Sequence, residues 1–194
     1  GERRAYLLQT AEKGILWLRL TAHGRAGHGS VPNDENPIVR LAQAIARIDA
    51  HQWPQEFIPS VQELLDGLSR LTDIPYAAGD LERLLRQLGG AAGFVRGTLR
   101  DTANVTMLDA GYKHNVIPSD AGASLDCRFL PGHDETVLKT LRDLAGDHVD
   151  VDVVHQDLAL DAPFSGSLVE AMVAAITAED PDAEVLPYCL SGGT

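Results

Sequence analysis

Three stretches of this chain alternate apolar and polar residues with a period of two, and nothing else in the sequence limits the fold as strongly. In residues 14–22, Leu16, Leu18, Leu20 and Ala22 fall on one side while Ile15, Trp17, Arg19 and Thr21 fall on the other. In residues 121–130, Ala123, Leu125, Cys127 and Phe129 alternate with Ser124, Asp126 and Arg128. Val149, Val151 and Val153 alternate with Asp150 and Asp152. Side chains point to opposite faces along a strand, so each run predicts a strand with one core face. The aspartates of the third run suit a sheet edge, where charge deters unwanted pairing.

Helical periodicity separates these strands. Asn36-Pro37 supplies a cap and a proline at the first helical position, and Ile38, Leu41, Ala42, Ile45 and Ile48 then form one stripe. Asp134 is placed to cap a second helix, with Val137, Leu138, Leu141 and Leu144 inward and Gly146 as its stop. Residues 93–100 and 104–109 read as two strands joined by Asp101-Thr102-Ala103. Residues 51–92 carry Pro54, Pro59 and Pro75 and two leucine-striped runs, which predicts a helical insertion packed on the domain rather than a flexible linker.

The order is strand, helix, insertion, strand, strand, strand, helix, strand. It predicts an α+β fold: a two-layer sandwich of an antiparallel, about four-stranded sheet with helices on one face, ferredoxin-like in its broad order. After Pro163 a helix over 167–178 and a strand over 184–188 find no place in that sandwich and read as part of an α/β neighbour. The expected boundaries are therefore 1–13 as a linker, 14–160 as the sandwich domain with its 51–92 insertion, and 161–194 as a truncated return into the neighbour. The opening Gly1-Glu2-Arg3-Arg4 and the closing Ser191-Gly192-Gly193-Thr194 read as the ends of an excised piece.

Composition limits the partners. A net charge of -12 argues against nucleic acid or an anionic membrane, because phosphate binding needs a basic face. No run approaches the roughly 18 apolar residues of a membrane span. Cys127 and Cys189 stand far apart with no metal-type spacing, which favours a reducing, cytoplasmic setting.

The chemistry-bearing candidates start with the loop Gly24-Arg25-Ala26-Gly27-His28-Gly29-Ser30-Val31-Pro32. His28, bounded by glycines, reads either as an incidental histidine in a turn or as an accessible general acid/base or oxyanion donor. Arg128 shares a strand face with Asp126 and reads either as a plain ion pair or as a fork for a ligand carboxylate. Asn115, ahead of Val116-Ile117-Pro118, is a turn-former or an amide donor to a substrate. The seven histidines offer no zinc-type spacing, so no metal is expected on this chain alone. Ser30 lacks the setting of a nucleophilic serine. The acidic Val31-Pro32-Asn33-Asp34-Glu35 stretch separates the glycines from the helix, which argues against a phosphate cradle.

Taken in order, Ala11-Glu12-Lys13-Gly14, the Gly24 to Pro32 loop with Asn36-Pro37, Asn115-Val116-Ile117-Pro118, Asp126-Cys127-Arg128 with Pro131-Gly132, and Ser191-Gly192-Gly193-Thr194 resemble the co-catalytic dizinc amidohydrolases. That family includes aminoacylases, acetylornithine deacetylase, succinyl-diaminopimelate desuccinylase and carboxypeptidases of the G and S types. The resemblance implies a two-domain enzyme with two zinc ions, replaceable by cobalt or manganese, in a catalytic domain, and a smaller lid that forms a homodimer. This chain would be the lid plus part of the catalytic domain, inactive alone, with the metal ligands and the general base outside it. The resemblance implies that His28 reaches the partner subunit's site as an oxyanion donor and that Arg128 holds the substrate carboxylate. Asn115 faces the substrate on the same ground, and Gly192, Gly193 and Thr194 form a substrate loop. The substrate would be an N-acyl amino acid or a peptide. A different class of reading is a non-enzymatic α+β dimerisation or small-ligand-binding module.

Overall fold

A computed structural model describes residues 4–76 and 80–192; Gly193 and Thr194, two of the expected substrate-loop residues, lie outside the described residues. The elements in chain order are β1 (Ala5–Glu12), β2 (Gly14–His23), β3 (Gly27–His28), α1 (Pro37–Ala50), α2 (Pro59–Thr72), α3 (Leu81–Gln87) and α4 (Ala92–Gly97). They continue with β4 (Thr102–Ala110), β5 (Val116–Ile117), β6 (Asp120–Phe129), α5 (Asp134–Ala145), β7 (Val149–Asp157), β8 (Leu160–Asp161), α6 (Ser167–Glu179) and β9 (Glu184–Leu190). They sort into two compact units, one of residues 14–53 and 101–157, the other of residues 1–13, 54–100 and 158–194.

The first unit is the expected sandwich. Its sheet has the order β4-β6-β2-β7 with every neighbour antiparallel. Leu16, Leu18, Leu20 and Ala22 of β2 and Ala121, Ala123, Leu125, Cys127 and Phe129 of β6 are buried, as the period-two reading requires. Against them pack Leu41, Ala44 and Ile48 of α1 and Val137, Leu141 and Ala145 of α5. Each fully buried leucine contributes about 1.5–3 kcal/mol from loss of water contact. Asn36 caps α1 as expected, its Oδ1 accepting from the Ile38 N–H at 3.0 Å. Gly146 follows α5, whose last carbonyls, Leu144 and Ala145, accept from Arg47 at 2.7 Å each.

The opposite sheet face carries the alternate residues. Arg19 reaches across β6 to Asp109 of β4 with a two-toothed contact at 2.7 and 2.9 Å. Its guanidinium lies where a side chain at Gly122 would be: a Cβ there would sit 1.9 Å from Nη2. Gly122 is thus the gap that lets one charge pair span three strands.

Two local readings are corrected here. The stripe on α1 is shifted: Leu41 and Ile48 are buried with Ala44, whereas Ile38 is exposed and, with Ala42 and Ile45, lines a groove beside β4. The position before α5 is taken by His133, and Asp134 is the first helical residue.

The second unit was legible only in pieces. Residues 1–13, expected as a linker, contain β1, which pairs in parallel with β9 and antiparallel with β8. The expected 51–92 insertion is helical, but residues 54–100 group with β1 and β9 rather than with the sandwich, so the sandwich is split in sequence. Residues 93–100, expected as a strand, form α4 and its exit turn. Ala92, Val95 and Leu99 are buried at spacings of three and four while Phe94 is exposed, and that helical spacing wins over a short apparent alternation. Lys13 is 1% exposed, and its ammonium donates to the Arg100 carbonyl at 2.7 Å and the Gly97 carbonyl at 3.1 Å, just beyond α4 and at its end. A buried ammonium survives only with such partners.

Candidate functional site

The glycine loop leaves β2 under tight backbone control. Gly24 N–H donates to the Ser119 carbonyl at 2.8 Å, and Arg25 N–H to the Glu35 carbonyl at 3.1 Å. A Cβ on Gly24 would lie 1.9 Å from the Glu35 carbonyl oxygen, so only glycine allows this backbone crossing. Asn33 closes the loop from within, donating Nδ2 to the Arg25 carbonyl at 2.7 Å and accepting from the Glu35 N–H at 2.8 Å.

These constraints bring two of the expected site residues together. β3 pairs antiparallel with β5, with His28 opposite Val116, and Gly29 N–H donates to the Asn115 carbonyl at 2.9 Å. Asn115 Nδ2 then stands 3.2 Å from His28 Nε2. The other ring nitrogen, Nδ1, lies 2.8 Å from Ser30 Oγ and 3.3 Å from the Ser30 N–H. A neutral ring has one donor and one acceptor. With Nδ1–H donating to Ser30 Oγ, Nε2 accepts from Asn115; with Ser30 donating to Nδ1, both Nε2–H and Asn115 Nδ2–H become free donors toward an oxygen. The Ser30 hydroxyl serves either state, because it both donates and accepts.

Arg128 is elsewhere. It sits at the far end of β6, in register with Ile15 and Thr102, and is bound by Asp126 through Nε at 2.6 Å and Nη2 at 2.9 Å. The ion pair foreseen as its plain reading is therefore present, in a half-buried setting. β5 leads into β6 at Asp120, and Arg128 lies eight residue steps further along the strand, about 26 Å at ~3.3 Å per residue. Gly192 is exposed just after β9 in the other unit.

Residues 10–153 match the M20 peptidase dimerisation domain. The chain belongs to that family. A probable carboxypeptidase S-like 2 from Dictyostelium discoideum is 25% identical over 193 residues, covering 94% of this chain and 37% of that protein. The N-fatty-acyl-amino acid synthase/hydrolase PM20D1 of Xenopus tropicalis is 31% identical over 141 residues, covering 70% of this chain and 27% of that protein. The chain thus spans well under half the length of these relatives. Among solved structures, an M20 metallo-carboxypeptidase, Sso-CP2 from Sulfolobus solfataricus, has the same fold with a TM-score of 0.67 at 19% identity, over 99% of this chain and 55% of that one.

Membership of a metallopeptidase family implies divalent metal ions in the whole enzyme. Among the described residues no group of three or more His, Cys, Asp and Glu side chains could hold a metal. Nor is any described helix long and apolar enough to cross a membrane. Both thiols of this M20 chain are buried, and burial pushes Cys127 up to about 12 and Cys189 up to about 11, which keeps them protonated and unreactive.

One cluster escaped the sequence reading. His23, the last residue of β2, lies between Asp120 of β6 and Asp150 of β7. Phase alone puts His23 on the face of Trp17 and Arg19, but the cross-strand register that sets it opposite Asp120 is not visible in the sequence.

Proposed function

We propose that this chain is the lid and dimerisation portion, with part of the catalytic domain, of a metal-dependent hydrolase that cleaves the amide bond of an N-acyl amino acid or dipeptide. The names of its relatives, carboxypeptidases and N-fatty-acyl-amino acid hydrolases, support that substrate class. The observation that carries the reading is the His28–Asn115 pair, two side chains 87 residues apart whose nitrogens meet at 3.2 Å on an exposed loop edge. When an amide carbonyl is attacked, its oxygen gains charge, and donors already in place at that position stabilise it. His28 Nε2–H and Asn115 Nδ2–H supply two such donors, with Ser30 holding Nδ1 as acceptor. Arg128 takes the substrate carboxylate by exchanging its fork from Asp126. Gly192, with Gly193 and Thr194, borders the substrate. The bound metal pair, zinc or in its place cobalt or manganese, would polarise the amide and its attacking water, held by protein outside these residues.

The separation along β6 bears on how a site is completed. Arg128 stands eight residue steps, about 26 Å at ~3.3 Å per residue, from Asp120, the end of β6 that follows the His28–Asn115 loops. A single amino-acid substrate cannot touch both from one chain, so each site takes Arg128 from its own subunit and His28 from the partner. The surface for such a homodimer is the β4 edge. It exposes Met107 and Leu108 at 64% and 65%, carries neither lysine nor proline, and borders an apolar groove of about 520 Å³ with Ile38, Ala42 and Ile45 on its α1 side. The opposite edge, β7, carries Asp150, Asp152 and Asp157 instead. A cytoplasmic setting is proposed on the buried, unpaired thiols.

The test is subunit complementation in the full-length enzyme. His28→Ala and Arg128→Ala each lower turnover, the former by about 100- to 1,000-fold as for loss of one oxyanion donor. Mixed in equal amounts, the two variants recover about a quarter of wild-type activity, because half the dimers are mixed and one of their two sites is whole. No recovery means that both residues serve one site in cis. Near-normal turnover of His28→Ala removes the catalytic reading and leaves the dimerisation module.

A further inference from the structure

The cluster around His23 has a geometry that only one protonation state completes. Nδ1 lies 2.5 Å from Asp120 Oδ1 and Nε2 lies 3.2 Å from Asp150 Oδ2. Carboxylates only accept, and a neutral imidazole has a single N–H. In the neutral ring one nitrogen lone pair must therefore face a carboxylate, whereas the imidazolium donates to both. The three residues come from three adjacent strands, β2, β6 and β7, at one end of the sheet.

That end is where the His28–Asn115 loops begin. Gly24, directly after His23, donates to the carbonyl of Ser119, directly before Asp120. The Ser119 hydroxyl donates to the second Asp120 oxygen at 2.6 Å. From α1, Arg40 donates to the main-chain carbonyl of His23 at 2.8 Å. The charged groups around His23 are thus Asp120 on β6, Asp150 on β7 and Arg40 on α1, and Arg40 is directed to the backbone rather than to the ring.

We propose that His23 is a positioning residue, a pH-dependent clasp that as imidazolium ties β6, β2 and β7 together and so fixes the base of the loops holding His28 against Asn115. The consequence for catalysis rests on the proposed role of His28; the clasp itself does not.

The direction of its pH dependence follows from the groups. The hydrogen bond to Asp120, opposed in part by desolvation and helped by Asp150, raises His23 above its ordinary 6.5. A raised histidine adds stability that is fully present below its unfolded value and is lost as pH climbs through the folded one. Asp120 is held below its ordinary range, first by the Ser119 hydroxyl and then by His23, so its share is lost only as pH falls through that lowered value. The clasp is closed between these limits and opens as pH rises through the raised His23 value.

Amide hydrogen exchange and histidine NMR titration on this chain test it. The Gly24 and Gly29 amides, bonded to Ser119 and Asn115, are expected to lose protection several-fold between about pH 6 and about pH 8.5, corrected for intrinsic exchange, as His23 titrates. In His23→Gln the protection becomes independent of pH over that range, and in Asp150→Asn the His23 midpoint falls. Circular dichroism verifies that each variant folds, and Asp150→Asn serves alone where His23→Gln does not. Protection that is flat with pH in the wild-type chain, or that falls equally in His23→Gln, overturns the clasp. So does a His23 midpoint unchanged by Asp150→Asn. Because exchange is read without substrate, a noncatalytic His28 leaves these outcomes unaltered.

Discussion

Gly24 and Gly27 belong to the same short loop, yet alanine at each is expected to act in opposite directions. A Cβ on Gly24 meets the Glu35 carbonyl oxygen at 1.9 Å, Pro37 Cδ at 2.7 Å and Pro37 N at 3.0 Å. Two of these three atoms are backbone, and the proline ring sits at the first position of α1, so no flexible side chain can swing aside. Relief requires the 33–37 segment to move away, which breaks the Arg25 N–H bond to Glu35. Overpacking of this kind costs about 1–3 kcal/mol, and the lost hydrogen bond adds about 1 kcal/mol. Gly24→Ala is therefore expected to destabilise the sandwich by about 2–4 kcal/mol. At Gly27 the nearest atom to an added Cβ is Asn33 Nδ2 at 3.8 Å, an ordinary contact. There alanine restricts the unfolded chain and is expected to be neutral or stabilising by up to about 1 kcal/mol. Urea denaturation followed by circular dichroism measures both, with the slope checked for constancy. The His28 ring resonance reports whether its place beside Asn115 survives, and it should shift in Gly24→Ala far more than a local substitution at Gly27 explains. Equal destabilisation by the two substitutions, or a stable Gly24→Ala with an unmoved His28, would refute the reasoning.

Two further outcomes follow from single contacts. Leu108→Asp puts a charge on the β4 edge at a side chain that is 65% exposed, so it should leave the circular dichroism spectrum intact while shifting the full-length enzyme toward monomer in sedimentation velocity. Lys13→Met removes the buried ammonium and leaves the Gly97 and Arg100 carbonyls short of a donor. It should lower stability by about 1–3 kcal/mol per lost carbonyl bond in thermal or urea melts, and a melt equal to wild type would show that water replaces the ammonium.

The sandwich was legible because its strands are half-buried. Leu16, Leu18 and Leu20 need one core face, and an antiparallel sheet with one covered side turns that need into a visible alternation. β1 lacks that signal. Only Ala11 in it is fully buried, and its pattern, Ala5-Tyr6-Leu7-Leu8-Gln9-Thr10, does not alternate. Its place is fixed by parallel pairing with β9, some 180 residues later, and no local pattern reports so distant a partner. α4 failed for another reason: six residues are too few to separate a helical period from an alternation, so Val95 and Leu99 decide it only once their burial is known. Lys13 was invisible because a buried lysine is recognised by its acceptors, and those lie more than eighty residues away.

The site residues divide along the same line. His28, Asn115 and Arg128 are candidates singled out by the motifs around them, but their grouping is a matter of register. β5 is two residues long and pairs with β3 at His28 opposite Val116, which puts Asn115, one residue earlier, beside the imidazole. A slip of one residue would turn His28 away, since neighbouring strand residues face opposite sides. Ten paired positions along β2 and β6 then carry Arg128 to the far end of the same sheet. One strand thus keeps the proposed oxyanion donors, at its Asp120 end, apart from the proposed carboxylate fork at Arg128. On the proposed mechanism that separation makes a lone subunit incomplete, and the bare β4 edge becomes a condition of catalysis rather than an accessory to it.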